Sequence, residues 1–159
     1  MNSMNVLVIY DTYFGNTAQV AEVIGKSLGD DVNVIKVNEV NMENISGLDL
    51  LIMGSPTRAF RPSEDMKKFL DSIPKGTLNG TKVAAFDTRM DPKDVGNPIL
   101  KFMAGMFGYA ANPIANKLVK NGGMLIGEPK GFVVVGREGP LRTGELEKAS
   151  SWAKSLLSL

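Results

Sequence analysis

Short runs of apolar, largely β-branched residues alternate along the chain with stretches in which apolar side chains recur every three or four positions. The runs predict strands at Asn5–Tyr10, Val32–Val37, Leu48–Gly54 and Lys82–Phe86, with a broken fifth at Met124–Ile126 plus Phe132–Val135. Each is nearly continuously hydrophobic, as a strand must be when helices cover both faces of its sheet. The intervening stretches predict helices. The first follows Asn16, with Val20, Ile24 and Leu28 on one face and Gly29 as its stop. A short one fits Met42–Ser46. The next starts at Ser63, a helix-capping residue followed by Glu64 and Asp65, and its Met66, Phe69, Leu70 and Ile73 form a stripe that ends at Pro74. Another begins between Tyr109 and Pro113 and stops at Gly122–Gly123, and the last starts near Thr143 and buries Leu146, Ala149, Ala153 and Leu156. Strands alternating with amphipathic helices make an α/β protein built on a doubly wound parallel sheet.

One segment does not fit that alternation. Pro92 to Ala111 is long for a connection inside a domain and too apolar for a disordered loop. Asn97 followed by Pro98 is a good start for an extra helix over Asn97–Phe107. Ile99, Leu100, Phe102, Met103, Met106 and Phe107 cannot all face inward from one short helix. Part of that surface should be covered by something else, a second subunit being the simplest candidate and another partner or a substrate the next. Burial under the following helix is the plain alternative.

Composition narrows the chemistry. The 159 residues suit a single domain, 1–159, and contain neither cysteine nor histidine. Disulfides, Cys/His zinc sites, His or Cys haem ligation and a nucleophile–histidine triad are excluded. Redox chemistry here would rest on an organic cofactor. A net charge of +1 without a basic run gives no reason to expect nucleic-acid binding. No apolar stretch is long enough for a membrane span, and the start reads as a strand instead of a signal peptide, so a cytoplasmic protein is expected.

Ligands of open α/β sheets bind beyond the carboxyl ends of the strands, where the strand order reverses. The loops after the first, third and fourth strands are therefore the candidates. The first, Thr12, Tyr13, Phe14, Gly15, Asn16 and Thr17, joins a buried strand to a helix. A phosphate placed there meets free N–H groups and the positive end of the helix dipole, with hydroxyl and amide donors alongside. The plain alternative is a capped strand–helix turn. No dinucleotide glycine fingerprint and no P-loop lysine is present, which argues against NAD and ATP.

These residues resemble a known family. Thr12 to Thr17 is similar to the Ser/Thr-x-Thr-Gly-x-Thr phosphate loop of flavodoxins, with Phe14 in place of the middle hydroxyl residue. Gly54-Ser55-Pro56-Thr57-Arg58-Ala59-Phe60 resembles the Gly-x-Pro-Thr-Arg loop of WrbA-type quinone reductases. Phe86-Asp87-Thr88-Arg89, with the tail Glu138-Gly139-Pro140-Leu141, is similar to further flavodoxin-family proteins, and the resemblance runs in order along essentially the whole chain. It implies a flavodoxin-like sheet of five parallel strands in the order 2-1-3-4-5, of the short-chain type. It also implies non-covalent FMN, with the phosphate on residues 12–17 and the isoalloxazine between Pro56, Thr57, Arg58, Ala59 and Phe60 on one side and Asp87, Thr88, Arg89 and Met90 on the other. The implied function is electron transfer between protein partners. An NAD(P)H-dependent quinone or flavin reductase is the alternative, and a fold that has lost its cofactor is the third.

Two departures from the pattern bear on redox poise. Ala59 stands where flavodoxins usually carry a glycine whose peptide turns over to meet the flavin N5 after one-electron reduction, and alanine is strained at positive φ. Flavodoxins are usually acidic, whereas this chain places Arg58 and Arg89 in the two flavin loops. A cation there favours an anionic reduced flavin. Surface ion pairing is the plain alternative for both arginines. Phe60 or an aromatic within 102–109 is the expected stacking partner, while Tyr13, Phe14 and Trp152 read as packing residues.

Overall fold

The computed structural model describes residues 4–91, 93 and 96–159. Its strands are β1 (Val6–Tyr10), β2 (Asn33–Lys36), β3 (Leu50–Pro56), β4 (Lys82–Met90), β5 (Met124–Leu125) and β6 (Lys130–Val134). Its α-helices are α1 (Asn16–Leu28), α2 (Glu64–Ser72), α3 (Pro98–Phe107), α4 (Ala111–Lys120) and α5 (Glu145–Leu156). Two short 3-10 turns, Val37–Glu39 and Met42–Ile45, lead from β2 to β3. Every strand pairing is parallel, in the order β2-β1-β3-β4-β5 with β6 also on β4. The fifth position is thus shared by two short strands, β5 beside Lys82–Val83 and β6 beside Phe86–Met90. That split is the broken apolar run of the sequence. The outer side of β6 is covered by the chain itself: Val134 bridges Leu141, and the Arg142 N–H donates to the Val133 carbonyl at 2.8 Å.

Successive strand residues point to opposite faces, and each face has its own core. Leu7 and Ile9, Leu51 and Met53, and Val83 and Ala85 pack against Met66, Phe69 and Leu70 of α2 and Ile114 and Leu118 of α4. The residues between them, Val8, Leu50, Ile52, Ala84 and Phe86, pack against Val20 and Ile24 of α1 and Ala149, Ala153 and Leu156 of α5. Phe86, Phe132 and Trp152 meet edge to face with ring centroids 6.1–6.2 Å apart, so Trp152 is a packing residue. Gly54 is demanded by that cluster, since a Cβ there would lie 2.1 Å from the Phe86 ring.

Element edges differ from the apolar pattern where polar residues are buried. β4 continues to Met90 although apolar character stops at Phe86, because Asp87 and Thr88 find buried hydrogen-bond partners. In α5 the inward position near the start is Glu145, with Leu146 only half buried. α3 forms as expected, and the Ile99 N–H donates to Asn97 Oδ1 at 2.9 Å. Ile99 and Phe102 on it are 69% and 66% exposed, so this face is not buried under α4. The side chains of Met106 and Phe107 lie outside the described residues.

Candidate cofactor site

β1 sends the chain to one side, toward β2, and β3 returns it to the other. The carboxyl ends of β1 and β3 therefore open a crevice at the reversal of strand order. Asp11, at the end of β1, is 4% exposed and organises this edge. Its Oδ1 accepts from the Thr12 N–H at 2.8 Å, and its Oδ2 accepts a short hydrogen bond from Ser63 Oγ. Ser63 in turn accepts the Met66 N–H at 3.2 Å as the cap of α2, and its own N–H donates to Ser55 Oγ at 2.9 Å. One buried carboxylate thus ties the loop after β1 to the loop after β3.

The loop after β1 turns into α1 through Gly15 at φ 94°, a left-handed conformation that suits glycine. Thr12 Oγ1 accepts the Gly15 N–H at 2.9 Å, which leaves its own proton free to donate. Thr17 and Thr88 share one hydrogen bond at 2.8 Å, so that pair too keeps a proton to give. No side chain caps α1, and its first turn holds no acidic residue. The N–H groups of Asn16, Thr17 and Ala18 have no acceptor within the helix. This geometry suits an anion.

The loop after β3 doubles back tightly. Arg58 and Arg61 exchange N–H to carbonyl hydrogen bonds at 2.8 and 2.9 Å around Ala59 and Phe60, whose φ values are 48° and 67°. A turn with two positive φ angles ordinarily takes Asn-Gly or Gly-Gly. Two side chains are held here in a conformation that costs about 1–3 kcal/mol each.

In the third loop, Asp87 is fully buried. It accepts from Arg89 Nε and Nη2, both at 2.7 Å, and from the Ala111 N–H at 2.9 Å at the start of α4. Burial pushes its carboxyl up from the usual range, while the Arg89 guanidinium and the Ala111 N–H hold it down. The guanidinium lies 3.8 Å from the Tyr109 ring centre, and burial raises the hydroxyl of that tyrosine above its ordinary value. Gly131 faces the same guanidinium so closely that a Cβ would come within 2.1 Å of Nε. Arg89 is therefore locked and charge-balanced. Arg58 is not: its guanidinium rests 4.8 Å from the Tyr13 ring centre and has no ion pair among the described residues.

These loops enclose a pocket of about 320 Å³. Of the residues singled out from the sequence, Thr12, Tyr13, Phe14, Asn16 and Thr17, Pro56 to Ala59, and Thr88 to Met90 line it. Gly15, Phe60 and Asp87 do not; Gly15 shapes the turn and Asp87 supports from beneath. Tyr13 and Phe14, rather than Phe60, are the aromatic side chains at the pocket wall. Val134 and Arg137 also line it and were missed. The signal for Arg137 was its position beside the Glu138–Leu141 tail. The described lining contains three arginines and no carboxylate.

The Flavodoxin domain model matches residues 7–123, nearly three quarters of the chain. The chain belongs to the flavodoxin family. A flavodoxin of Aquifex aeolicus is 36% identical over 90 residues, 52% of this chain and 49% of that protein. The chain spans about half the length of several curated relatives it matches. Among solved structures, oxidised Flavodoxin 2 from Bacillus cereus superimposes with a TM-score of 0.75 at 22% identity, covering 97% of this chain and 98% of that one. A WrbA-like flavodoxin from Agrobacterium tumefaciens gives 0.68 at 17%, covering 98% and 96%. Both likenesses speak to the fold. The family cofactor is FMN, and the pocket meets its chemical demands: an uncapped helix start with hydroxyl donors beside Tyr13 and Phe14, and Pro56, Ala59 and Met90 in the walls of the other two loops, with no carboxylate in the described lining.

Proposed function

We propose that residues 1–159 form one FMN-binding domain that carries electrons between redox proteins. Support comes above all from the uncapped start of α1 opening into a pocket lined by no acid among the described residues. In this reading the phosphate is held by the N–H groups and hydroxyls of residues 12–17. The ring system lies between Pro56–Ala59 and Thr88–Met90, with Phe60 and Asp87 behind those walls. Bound FMN supplies the one- and two-electron chemistry. The chain's own residues bind and orient it: Thr12 and the Thr17–Thr88 pair offer protons to the phosphate, and Asp87 holds Arg89 at the wall. The exposed apolar face of α3, at Ile99, Leu100 and Phe102, suits a covering protein, either a redox partner or a second copy.

The purified protein should be yellow with a flavin spectrum, which a fold that had lost its cofactor would not give. Thr12→Ala together with Thr17→Ala removes hydrogen bonds to a charged group, each worth about 1.5–3 kcal/mol. FMN affinity should fall by at least about tenfold while riboflavin affinity holds, and equal losses for both overturn the phosphate assignment. The unpaired Arg58 at the rim favours a second reading, an NAD(P)H-dependent quinone or flavin reductase. Multiple turnover with NAD(P)H and a quinone, unaided by a protein partner, would establish that reading over the carrier.

A further inference from the structure

We propose that Arg137 is a cationic phosphate ligand delivered to the start of α1 by the loop between β6 and α5, so that this site discriminates FMN from riboflavin by charge as well as by hydrogen bonds. The inference rests on the cofactor reading above. Its premise is a shortage: residues 12–17 contain neither lysine nor arginine, so nothing in that loop balances a phosphate dianion. Arg137 stands at the second position of a turn closed by the Gly139 N–H on the Gly136 carbonyl at 3.1 Å. The next carbonyl, of Glu138, accepts Asn16 Nδ2 at 3.1 Å. Gly139, at φ 104°, lies so close that a Cβ would sit 2.5 Å from Asn16 Oδ1. The turn is therefore fastened to the first residue of α1. From there Arg137 lines the same pocket as Thr12, Asn16 and Thr17.

The two arginines of this loop have different commitments. Arg142 is engaged by Asp91 at 3.2 Å and Glu145 at 3.4 Å, and does not line the pocket. Arg137 lines the pocket and has no ion pair among the described residues. Its exposed guanidinium belongs to the same lining as Thr12 and Thr17, and that described lining holds no carboxylate. A phosphate dianion at the α1 start supplies a counter-charge, in the planar two-pronged geometry that arginine favours.

The test is titration of the apoprotein with FMN and with riboflavin at low and high salt. Arg137→Gln should weaken FMN about tenfold, the scale of one hydrogen bond to a charged group, and leave riboflavin unchanged. It should also flatten the salt dependence of FMN binding, since an exposed ion pair is screened. Arg137→Lys should recover part of the FMN preference because it keeps the charge without the fork. An unchanged FMN-to-riboflavin ratio in Arg137→Gln, or equal losses for both flavins, overturns the inference. A wild-type chain that takes up neither flavin removes the cofactor reading instead, a result distinct from both.

Discussion

The floor of the pocket and its lip are built on opposite terms. Beneath the pocket, Asp11, Asp87 and Glu145 are at most 4% exposed, and each joins the end of a strand to another element. Asp11 links β1 to the cap of α2, Asp87 links β4 to α4 and Arg89, and Glu145 accepts the Val133 N–H of β6 at 2.9 Å. Each is satisfied by several donors, as buried charge must be. At the lip, Ala59 and Phe60 hold a left-handed backbone and Tyr13 and Phe14 are 42% and 48% exposed; α3, outside the lining, likewise turns Ile99 and Phe102 outward. The floor fixes where the loops stand. The lip keeps strain and uncovered apolar surface, as functional sites tend to do.

The largest expected effect lies in the floor. Asp87→Ala strips a buried carboxylate from Arg89 and the Ala111 N–H, and should destabilise the apoprotein by about 3 kcal/mol in urea unfolding. That is the low end for a broken buried pair, because the Arg89 side chain is 24% exposed and regains some water. A loss near zero would mean that the floor is no more rigid than the lip.

Glu145→Gln should cost less, about 1 kcal/mol near neutral pH, since the amide keeps an acceptor for Val133 but loses charge toward Lys148 and Arg142. Burial pushes the Glu145 carboxyl up, but the Val133 N–H, Lys148 and Arg142 together bring it below its ordinary 4.5. A depressed carboxyl stabilises the fold fully above the unfolded value and loses that contribution as pH falls through the folded one. The wild-type advantage should therefore be complete at pH 7 and shrink below about pH 4.5. An advantage that grows toward acid would reverse the sign and refute this account.

At the lip the sign changes. Ala59→Gly relieves a positive φ at the expense of a looser unfolded chain, and should raise stability by up to about 1 kcal/mol. Destabilisation would show that the turn is not strained. The smallest effect on stability belongs to Ile99→Ser with Phe102→Ser, which should leave the melting temperature unchanged because both side chains already face water. If a second copy covers this face, the pair should shift sedimentation toward monomer at high concentration. A wild type that sediments as a monomer throughout leaves a redox partner as the candidate cover.

The elements were legible because apolar runs and helical stripes report burial directly, even in the interrupted run that became β5 and β6, whereas the sheet order came from the flavodoxin resemblance. The three loops were legible as loops, and most of the lining follows from them. The split roles within the third loop were not. Asp87 and Arg89 lie two apart on β4 and so share one face of it, yet Asp87 is buried against the Ala111 N–H of α4 while the longer Arg89 side chain also reaches the pocket. Arg89 also reads as a free cation until its bidentate carboxylate is known. Arg137 went unseen for a different reason: it reaches α1 from 121 residues further along, through a carbonyl and a glycine that no spacing rule connects.

The split fifth strand also bears on how the molecule tolerates its own kind. One margin of the sheet is β2, only four residues long; the other is interrupted at Pro129 between β5 and β6. Along β6 the segment around Leu141 already occupies the outer carbonyls and amides. Neither margin offers an extended row of free backbone groups on which another chain could template, so the protein should resist edge-to-edge polymerisation even when it is abundant.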